Sequence, residues 1–334
     1  MLIYESAMTY EVLGNVCDRS DRASHLPSRM HSASAHESFS QSPCTISGPS
    51  GSFVIGRGQP LAIIAGPCVL ESLELGLTIA STLAPMCKKL GLNYIFKASF
   101  DKANRSSIAS ARGPGLAQGL AWMQEIRTRT GLAVTTDLHE PSQAEPVAQA
   151  IDLLQIPAFL CRQTDLVAAT GHAATKHKRA VNIKKGQFLS PLEMRGPLHK
   201  LAETGCHNVI VTERGTTFGY GRLVNDFLGM GDLMELRGKK DAQGNSRAPA
   251  PLCFDATHST QLPGGGDKPG EQTGGRPDRA PLLAKAAVAA GCDAVFIECH
   301  PAPKTAMSDA STMLELGSME GLLKQLARVR GAVG

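Results

Sequence analysis

The chain has few aromatic residues, no paired-cysteine motif, no long apolar run and no basic tract. Aromatics make up 4% of its 334 residues, which disfavours an aromatic-rich β-sandwich. Gly, Ala, Val, Ile and Leu carry the apolar load, a mix that suits an α/β protein. The nine cysteines include no Cys-x-x-Cys pair. An odd count without a framework, in a chain this long, fits a reducing, cytoplasmic setting rather than a disulfide scaffold. No apolar stretch reaches the roughly 18 residues that a spanning helix needs, so a membrane is not expected as a partner. The net charge of +4 is modest and dispersed. Nucleic-acid binding calls for a clustered basic face with stacking aromatics, and neither is there. What remains is a globular chain with 42% hydrophobic and 19% charged residues, enough for one large domain or two medium ones.

Residues 1–52 stand apart. They hold twelve serines, three histidines and little periodicity, and such a segment buries too little apolar surface to offset its ordering entropy. It lacks the apolar core of a signal peptide, and its five acidic residues argue against a transit peptide. The expectation is a disordered extension, or an early start codon with Met30 as the alternative start, and a catalytic domain over residues 53–334.

From about residue 60 a rhythm begins. Short apolar runs end in polar or special residues at Leu61–Cys68, Tyr94–Phe100, Leu132–His139, Asp152–Phe159, Ala180–Gly186, Asn208–Gly215, Pro251–His258 and Asp293–His300. Helical patterns fall between them, among them Leu73–Leu90, Leu116–Thr130, Pro141–Ile151 with proline in the first turn, and Met313–Val329. Near-continuous apolar strands alternating with helices imply a parallel sheet covered by helices. Eight such units in about 250 residues predict a (β/α)8 barrel. A doubly wound open sheet is the runner-up, but no Gly-x-Gly-x-x-Gly turn follows the first strand. Two stretches interrupt the rhythm. Leu236–Ala250 precedes the seventh strand, and the Gly-rich Gln261–Arg279 follows it, either as a mobile loop on the catalytic face or as a disordered insertion.

In such barrels chemistry gathers at the C-terminal ends of the strands. There the sequence places Gly66-Pro67-Cys68, Lys97 to Ser107, Asp137-Leu138-His139-Glu140, Gln155 with Arg162 beyond, Asn182-Ile183-Lys184-Lys185, Glu213-Arg214-Gly215, Asp255 with His258, and Glu298-Cys299-His300. Taken singly, each suits a satisfied core polar group or a solvated loop charge. Eight such coincidences on one face do not. Phe96–Ser107, read FKASFDKANRSS, is the densest stretch. It combines point charges, a planar guanidinium and hydroxyls behind a short apolar run, which suits phosphate. Lys97, Lys102, Arg105, Arg162, Lys184 and Arg214 are expected to converge on one cavity. Unpaired buried cations are costly, so their convergence predicts a polyanionic ligand, in the form of two phosphates. A second set, Cys68, His258, Glu298 and Asp309, offers a thiolate, an imidazole and two carboxylates, donors that suit Zn²⁺, Fe²⁺ or Mn²⁺. Their sequence separation gives no metal signature by itself, and Cys68 alone reads as a small buried residue.

The segments IAGPCVLES (Ile64–Ser72), FKASFDKANRSS (Phe96–Ser107), TDLHEPS (Thr136–Ser142), QIPAFLCRQTD (Gln155–Asp165), NIKKGQF (Asn182–Phe188), ERGTTFGY (Glu213–Tyr220), DATHSTQLPGG (Asp255–Gly265) and FIECHPAP (Phe296–Pro303) resemble the 3-deoxy-D-manno-octulosonate 8-phosphate synthase family. The match runs in order from about residue 60 to the C-terminus. The resemblance implies a (β/α)8 barrel, a homotetramer, and a transferase that condenses phosphoenolpyruvate with arabinose 5-phosphate in the biosynthesis of lipopolysaccharide. It assigns Lys102, Lys184, Arg214 and Gln155 to phosphoenolpyruvate, with Ser99 and Arg162 nearby. Lys97, Asn104, Arg105, Ser106 and Asp137 go to the aldose, the Arg105-Ser106 pair facing a neighbouring subunit's pentose phosphate. His139 is placed near the reacting atoms, so that Lys102, Asn104, Asp137 and His139 form the catalytic set. Cys68 stands where members without metal have asparagine. This implies the metal-dependent branch, with His258, Glu298 and Asp309 as the other ligands. Ala310 stands where relatives often have glycine. The sister enzyme that uses erythrose 4-phosphate is the nearest alternative, but its Lys-Pro-Arg-Thr segment is replaced here by Lys102-Ala103-Asn104-Arg105-Ser106-Ser107. A metal-dependent barrel aldolase is a further alternative.

Overall fold

A computed structural model of the chain describes residues 41–104, 111–239, 244, 246–264 and 274–333. Eight parallel strands close into a barrel: β1 (Ala62–Gly66), β2 (Asn93–Lys97), β3 (Ala133–Asp137), β4 (Leu153–Ile156), β5 (Ala180–Lys184), β6 (Val209–Glu213), β7 (Leu252–Asp255) and β8 (Ala294–His300). Each pairs with the next, β8 pairs with β1, and β7 pairs with β8, so the sheet has no free edge. The helices α1 (Leu73–Lys89), α2 (Leu116–Thr130), α3 (Ala144–Ala150), α4 (Thr164–His177), α5 (Arg195–Glu203), α6 (Phe227–Met234), α7 (Ala280–Ala289) and α8 (Met319–Val333) follow the strands in turn. This is a TIM barrel, and every predicted run holds one of its strands.

Local chemistry sets the boundaries. Ser72 caps α1 by accepting from the Leu75 N–H at 3.1 Å. Gly131 ends α2 in the left-handed region at φ 69°. At Gly66, where β1 ends, an added Cβ would sit 1.9 Å from the Lys97 carbonyl oxygen, so only glycine lets β1 and β2 approach this closely there.

Strand alternation divides the core. Ile63, Tyr94, Phe96, Val134, Val181, Phe254 and Val295 face the helices. Ala62, Ile64, Ile95, Leu153, Ile210, Cys253 and Phe296 face inward and fill the lower barrel. Cys44, Ile46 and Ile55 join that inner cluster. They belong to an antiparallel hairpin, Cys44–Gly48 with Gly51–Ile55, lying across the boundary expected at residues 52 and 53. Asn208 ties it to the barrel, its amide bonding both the Thr45 N–H at 2.7 Å and the Thr45 carbonyl at 2.6 Å. Residues 44–52 are therefore not a disordered extension. Cys44–Gly48 alternate buried and exposed positions as a strand does, a signal swamped by the serine-rich stretch before them. Residues 1–40 lie outside the described residues.

Two other expectations shift. The last helix starts at Met319, because Leu314–Glu315 instead pairs parallel to the end of β8 and a 3₁₀ turn follows. Pro141–Gln143 is a 3₁₀ turn leading into α3. The Gly-rich stretch after β7 is anchored at both ends by a short antiparallel pair, Gln261–Leu262 with Gly274–Gly275. Among the described residues no helix is long and apolar enough to cross a membrane. The eight described cysteines are all buried and free.

Candidate active site

The polar site lies directly above the apolar inner layer. Two residues past Ile95 on β2 comes Lys97, past Leu153 on β4 comes Gln155, past Cys253 on β7 comes Asp255, and past Phe296 on β8 comes Glu298. Period two points all of these inward. Lys97, Gln155 and Glu298 border a cavity of about 530 Å³ at the C-terminal mouth, lined also by Lys102, Asn104, Asp137, His139, Lys184, Arg214, His258 and Asp309, while Asp255 is bonded to the lining residues Lys184 and His258. Sequence reasoning did not single out Gln187, Gln261 or Phe296, which share the lining with Pro263. Ser99 is fully buried just behind it, its hydroxyl accepting from Lys102 Nζ at 2.8 Å.

Four of the six expected cations line the cavity. Arg162 does not: it is exposed beyond the Ala158–Leu160 turn, where its carbonyl accepts from Lys200 Nζ at 2.9 Å. Arg105 and Ser106 lie outside the described residues. The cations are also less naked than expected. Lys97 is paired with Glu298 and donates to the carbonyls of Pro67 and Cys68 at 3.2 and 3.1 Å. Lys184 Nζ bonds Asp255 at 2.6 Å and stands 3.6 Å from the centre of the Phe296 ring. Arg214 bonds Gln261 through Nη2 at 2.6 Å, but its buried Nη1 has no protein partner. Buried acceptors without a hydrogen-bond partner among the described residues, Asp137 Oδ1, Gln187 Oε1 and Glu298 Oε2, also occur in the lining. Such groups are costly unless a polar ligand meets them.

Charge and burial compete at each group. Burial disfavours the Lys102 ammonium, but Cys68, Asp137, Glu298 and Asp309 together hold its pKa above the ordinary lysine value. Burial would raise Asp137, yet Lys102 and a 3.2 Å contact with His139 Nε2 keep it well below the usual carboxylate range. Burial lowers both Lys184 and Arg214 despite the pull of Asp255. Asp255 itself stays ionised: burial is outweighed by His258 and Lys184.

At one side of the cavity Cys68, Glu298 and Asp309 bring one donor atom each within 4.8 Å of one another. The Cys68 thiol donates to Asp309 Oδ2 at 2.8 Å, and Asp309 takes φ 50°, a left-handed turn that is rare outside glycine. His258 is not within this trio, but its Nε2 lies 3.4 Å from Glu298 Oε2 while Nδ1 is held by Asp255 at 2.7 Å. Burial, then Asp309 and Glu298, hold the Cys68 thiol well above its ordinary pKa. Burial alone would raise Glu298, but His258, Lys97 and Lys102 bring it down to about 2. A thiol bonded to a carboxylate, beside a buried carboxylate oxygen without a hydrogen bond among the described residues, suits a cation that replaces the thiol proton.

A closed parallel barrel whose mouth carries lysines, an arginine and a compact thiol–carboxylate cluster defines an enzyme of phosphorylated substrates. The sequence matches the DAHP synthetase I family over residues 36–333. It is 46% identical over 281 residues to the 2-dehydro-3-deoxyphosphooctonate aldolase of Synechococcus sp., covering 84% of this chain and 92% of the relative. The protein of that name from Desulfotalea psychrophila is 46% identical, with 87% of this chain and 98% of the relative covered. That from Bradyrhizobium diazoefficiens is 48% identical, with 83% and 92% covered. The chain belongs to the DAHP synthetase I family and, within it, to the 2-dehydro-3-deoxyphosphooctonate aldolases.

Proposed function

We propose that the chain condenses phosphoenolpyruvate with D-arabinose 5-phosphate and water, giving 3-deoxy-D-manno-octulosonate 8-phosphate and inorganic phosphate. The supporting observation is a single cavity lined by Lys97, Lys102, Lys184 and Arg214 next to the Cys68–Glu298–Asp309 cluster. Lys102, Lys184 and Arg214, with Gln155 and Ser99, hold the enol phosphate. Asn104, Lys97 and Asp137 orient the aldose, together with Arg105 and Ser106; Arg162, expected beside the phosphoenolpyruvate, is exposed and does not line the cavity. The third carbon of phosphoenolpyruvate attacks the aldehyde carbon, whose oxygen takes a proton. Water adds at the second carbon and loses a proton, and the carbon–oxygen bond to phosphate breaks, leaving the keto acid. His139, oriented by Asp137 at 3.2 Å, carries a proton in this exchange, since an imidazole has one nitrogen to accept and one to donate. Much of the acceleration comes from holding two anions side by side, a positioning effect worth about 7–11 kcal/mol in well-oriented systems.

On this reading Cys68, His258, Glu298 and Asp309 would hold a divalent ion, Zn²⁺, Fe²⁺ or Mn²⁺, and the chain would be of the metal-dependent branch; the Cys68–Glu298–Asp309 cluster supports it. When bound, the ion supplies Lewis-acid polarisation of an oxygen in the site. The same reading includes a homotetramer, which suits the exposed Phe159, Phe188, Phe218, Tyr220 and Leu228; a monomer in sedimentation would remove that element. The decisive assay is phosphate release from phosphoenolpyruvate with each aldose. Release with arabinose 5-phosphate only is expected. Release with erythrose 4-phosphate only would transfer the chain to the sister reaction, and cleavage without condensation to an aldolase.

A further inference from the structure

Asp255 joins two parts of the site that the sequence presents as separate. It ends β7 and is fully buried. One oxygen, Oδ2, accepts from Lys184 Nζ at 2.6 Å and from His258 Nδ1 at 2.7 Å. The other, Oδ1, accepts from the His258 backbone N–H at 3.0 Å. Beyond His258 the contacts continue through Nε2 to Glu298 at 3.4 Å and from Glu298 to Lys97. A carboxylate carries no proton to give, so Nδ1 donates to Asp255, and Nε2, the nitrogen that faces Glu298, is the one a metal would take.

We propose that Asp255 is a positioning residue that couples the phosphoenolpyruvate lysine to the metal-site histidine. This rests on the assignment of Lys184 to the donor phosphate and of His258 to the metal. One oxygen shared by two donors serves each less well than it would serve one. When a phosphate draws the Lys184 ammonium, Oδ2 turns more fully to His258, and Nε2 becomes a better ligand. Phosphoenolpyruvate and the metal therefore bind with positive coupling, and by linkage each tightens the other by the same factor. A residue that only supported the fold would not produce that linkage.

The test is titration of chelator-stripped full-length protein with Zn²⁺, with and without phosphoenolpyruvate and without aldose, by calorimetry. In the wild type, phosphoenolpyruvate should tighten Zn²⁺ by about fivefold or more. Asp255→Asn keeps the shape but turns an N–H₂ group either on Lys184 and His258 Nδ1 or on the His258 backbone N–H. It should weaken Zn²⁺ roughly 10–100-fold and abolish its dependence on phosphoenolpyruvate. Asp255→Asn with wild-type Zn²⁺ affinity, or wild-type Zn²⁺ affinity indifferent to phosphoenolpyruvate, overturns the coupling. Should Asp255→Asn not fold, Lys184→Gln reads the same link from its other end. Freed from the ammonium, Asp255 should tighten Zn²⁺ several-fold without phosphoenolpyruvate, and an unchanged affinity refutes the proposal. A wild type that takes up neither ligand would instead defeat the functional assignment. One that takes up both without linkage leaves that assignment standing and removes only the coupling.

Discussion

Asp152 provides the sharpest test of how this barrel separates stability from chemistry. It precedes β4, at the end of the barrel away from the cavity, with its side chain fully buried. Arg127 of α2 grips it with two bonds of 2.9 Å, Arg179 before β5 adds one of 3.0 Å, and the Val134 N–H of β3 adds one of 3.1 Å. One carboxylate thus ties three consecutive β/α units. Asp152→Ala leaves two guanidiniums unpaired and a buried N–H without an acceptor. Removing one partner of a buried ion pair costs about 3–5 kcal/mol. The arginine side chains are 27% and 18% exposed and can partly re-solvate, which favours the lower end, about 3 kcal/mol. At about 2–4 °C per kcal/mol for large domains, Tm should fall by roughly 6–12 °C. The measurement is thermal unfolding of chelator-stripped protein, so that metal binding does not shift the midpoint. Condensation activity well below the new Tm should match the wild type, because none of the residues bonded to the Asp152 side chain, Arg127, Val134 and Arg179, lines the cavity. A Tm loss under about 2 °C, where the scale above gives several degrees, refutes the energetic reasoning. Lost activity in the folded variant refutes the separation of the two ends.

Two further changes probe the site. Asp137 has a folded pKa held below its ordinary 3.8 by Lys102 and His139 against burial; its contribution to stability is therefore complete above that value and lost as pH falls through the lower folded value. The gap in urea midpoint between wild type and Asp137→Asn should be constant at neutral pH and close below about pH 4, and a gap unchanged at the acid end contradicts the assignment. Cys68→Asn should lower metal content after purification by roughly tenfold or more, at least as much as losing a supporting residue does; full metal content with full activity would show that Cys68 is not a ligand.

Much of the fold was legible because each strand is a short apolar run ending in a residue no core would choose. Leu116–Thr130 has the same bounds in sequence and structure because Gly115 and Gly131 punctuate it. The strand-end polar residues were legible for the same reason. What they touch was not. Lys184 and Asp255 are 71 positions apart, Lys97 and Glu298 are 201 apart, and no local pattern pairs residues across a closed sheet. The six-cation expectation failed in part on this point. It counted charges at strand ends but had no means of seeing that carboxylates from β7 and β8 would meet the lysines of β5 and β2. Arg162 went astray for a different reason: it follows a 3₁₀ turn that carries the chain out of the mouth, and spacing from the strand says nothing about that direction. The hairpin at 44–55 was hidden because five-residue strands with one buried face give a weak alternation.

The pairing within the wall changes what the cavity can recognise. Lys97 with Glu298 and Lys184 with Asp255 are nearly neutral as pairs, which is how so many charges are tolerated above an apolar layer. The phosphate attraction then falls to groups with capacity left over: Arg214, whose Nη1 has no protein partner, and Lys102, whose contact is a neutral hydroxyl. A divalent cation held by Cys68, Glu298 and Asp309 would offset the carboxylate that now neutralises Lys97. That would return Lys97 to the cavity as a cation. On this argument such an ion would do more than supply a Lewis acid: by engaging Glu298, the carboxylate that Lys97 shares, it would set how positive the cavity is toward anions.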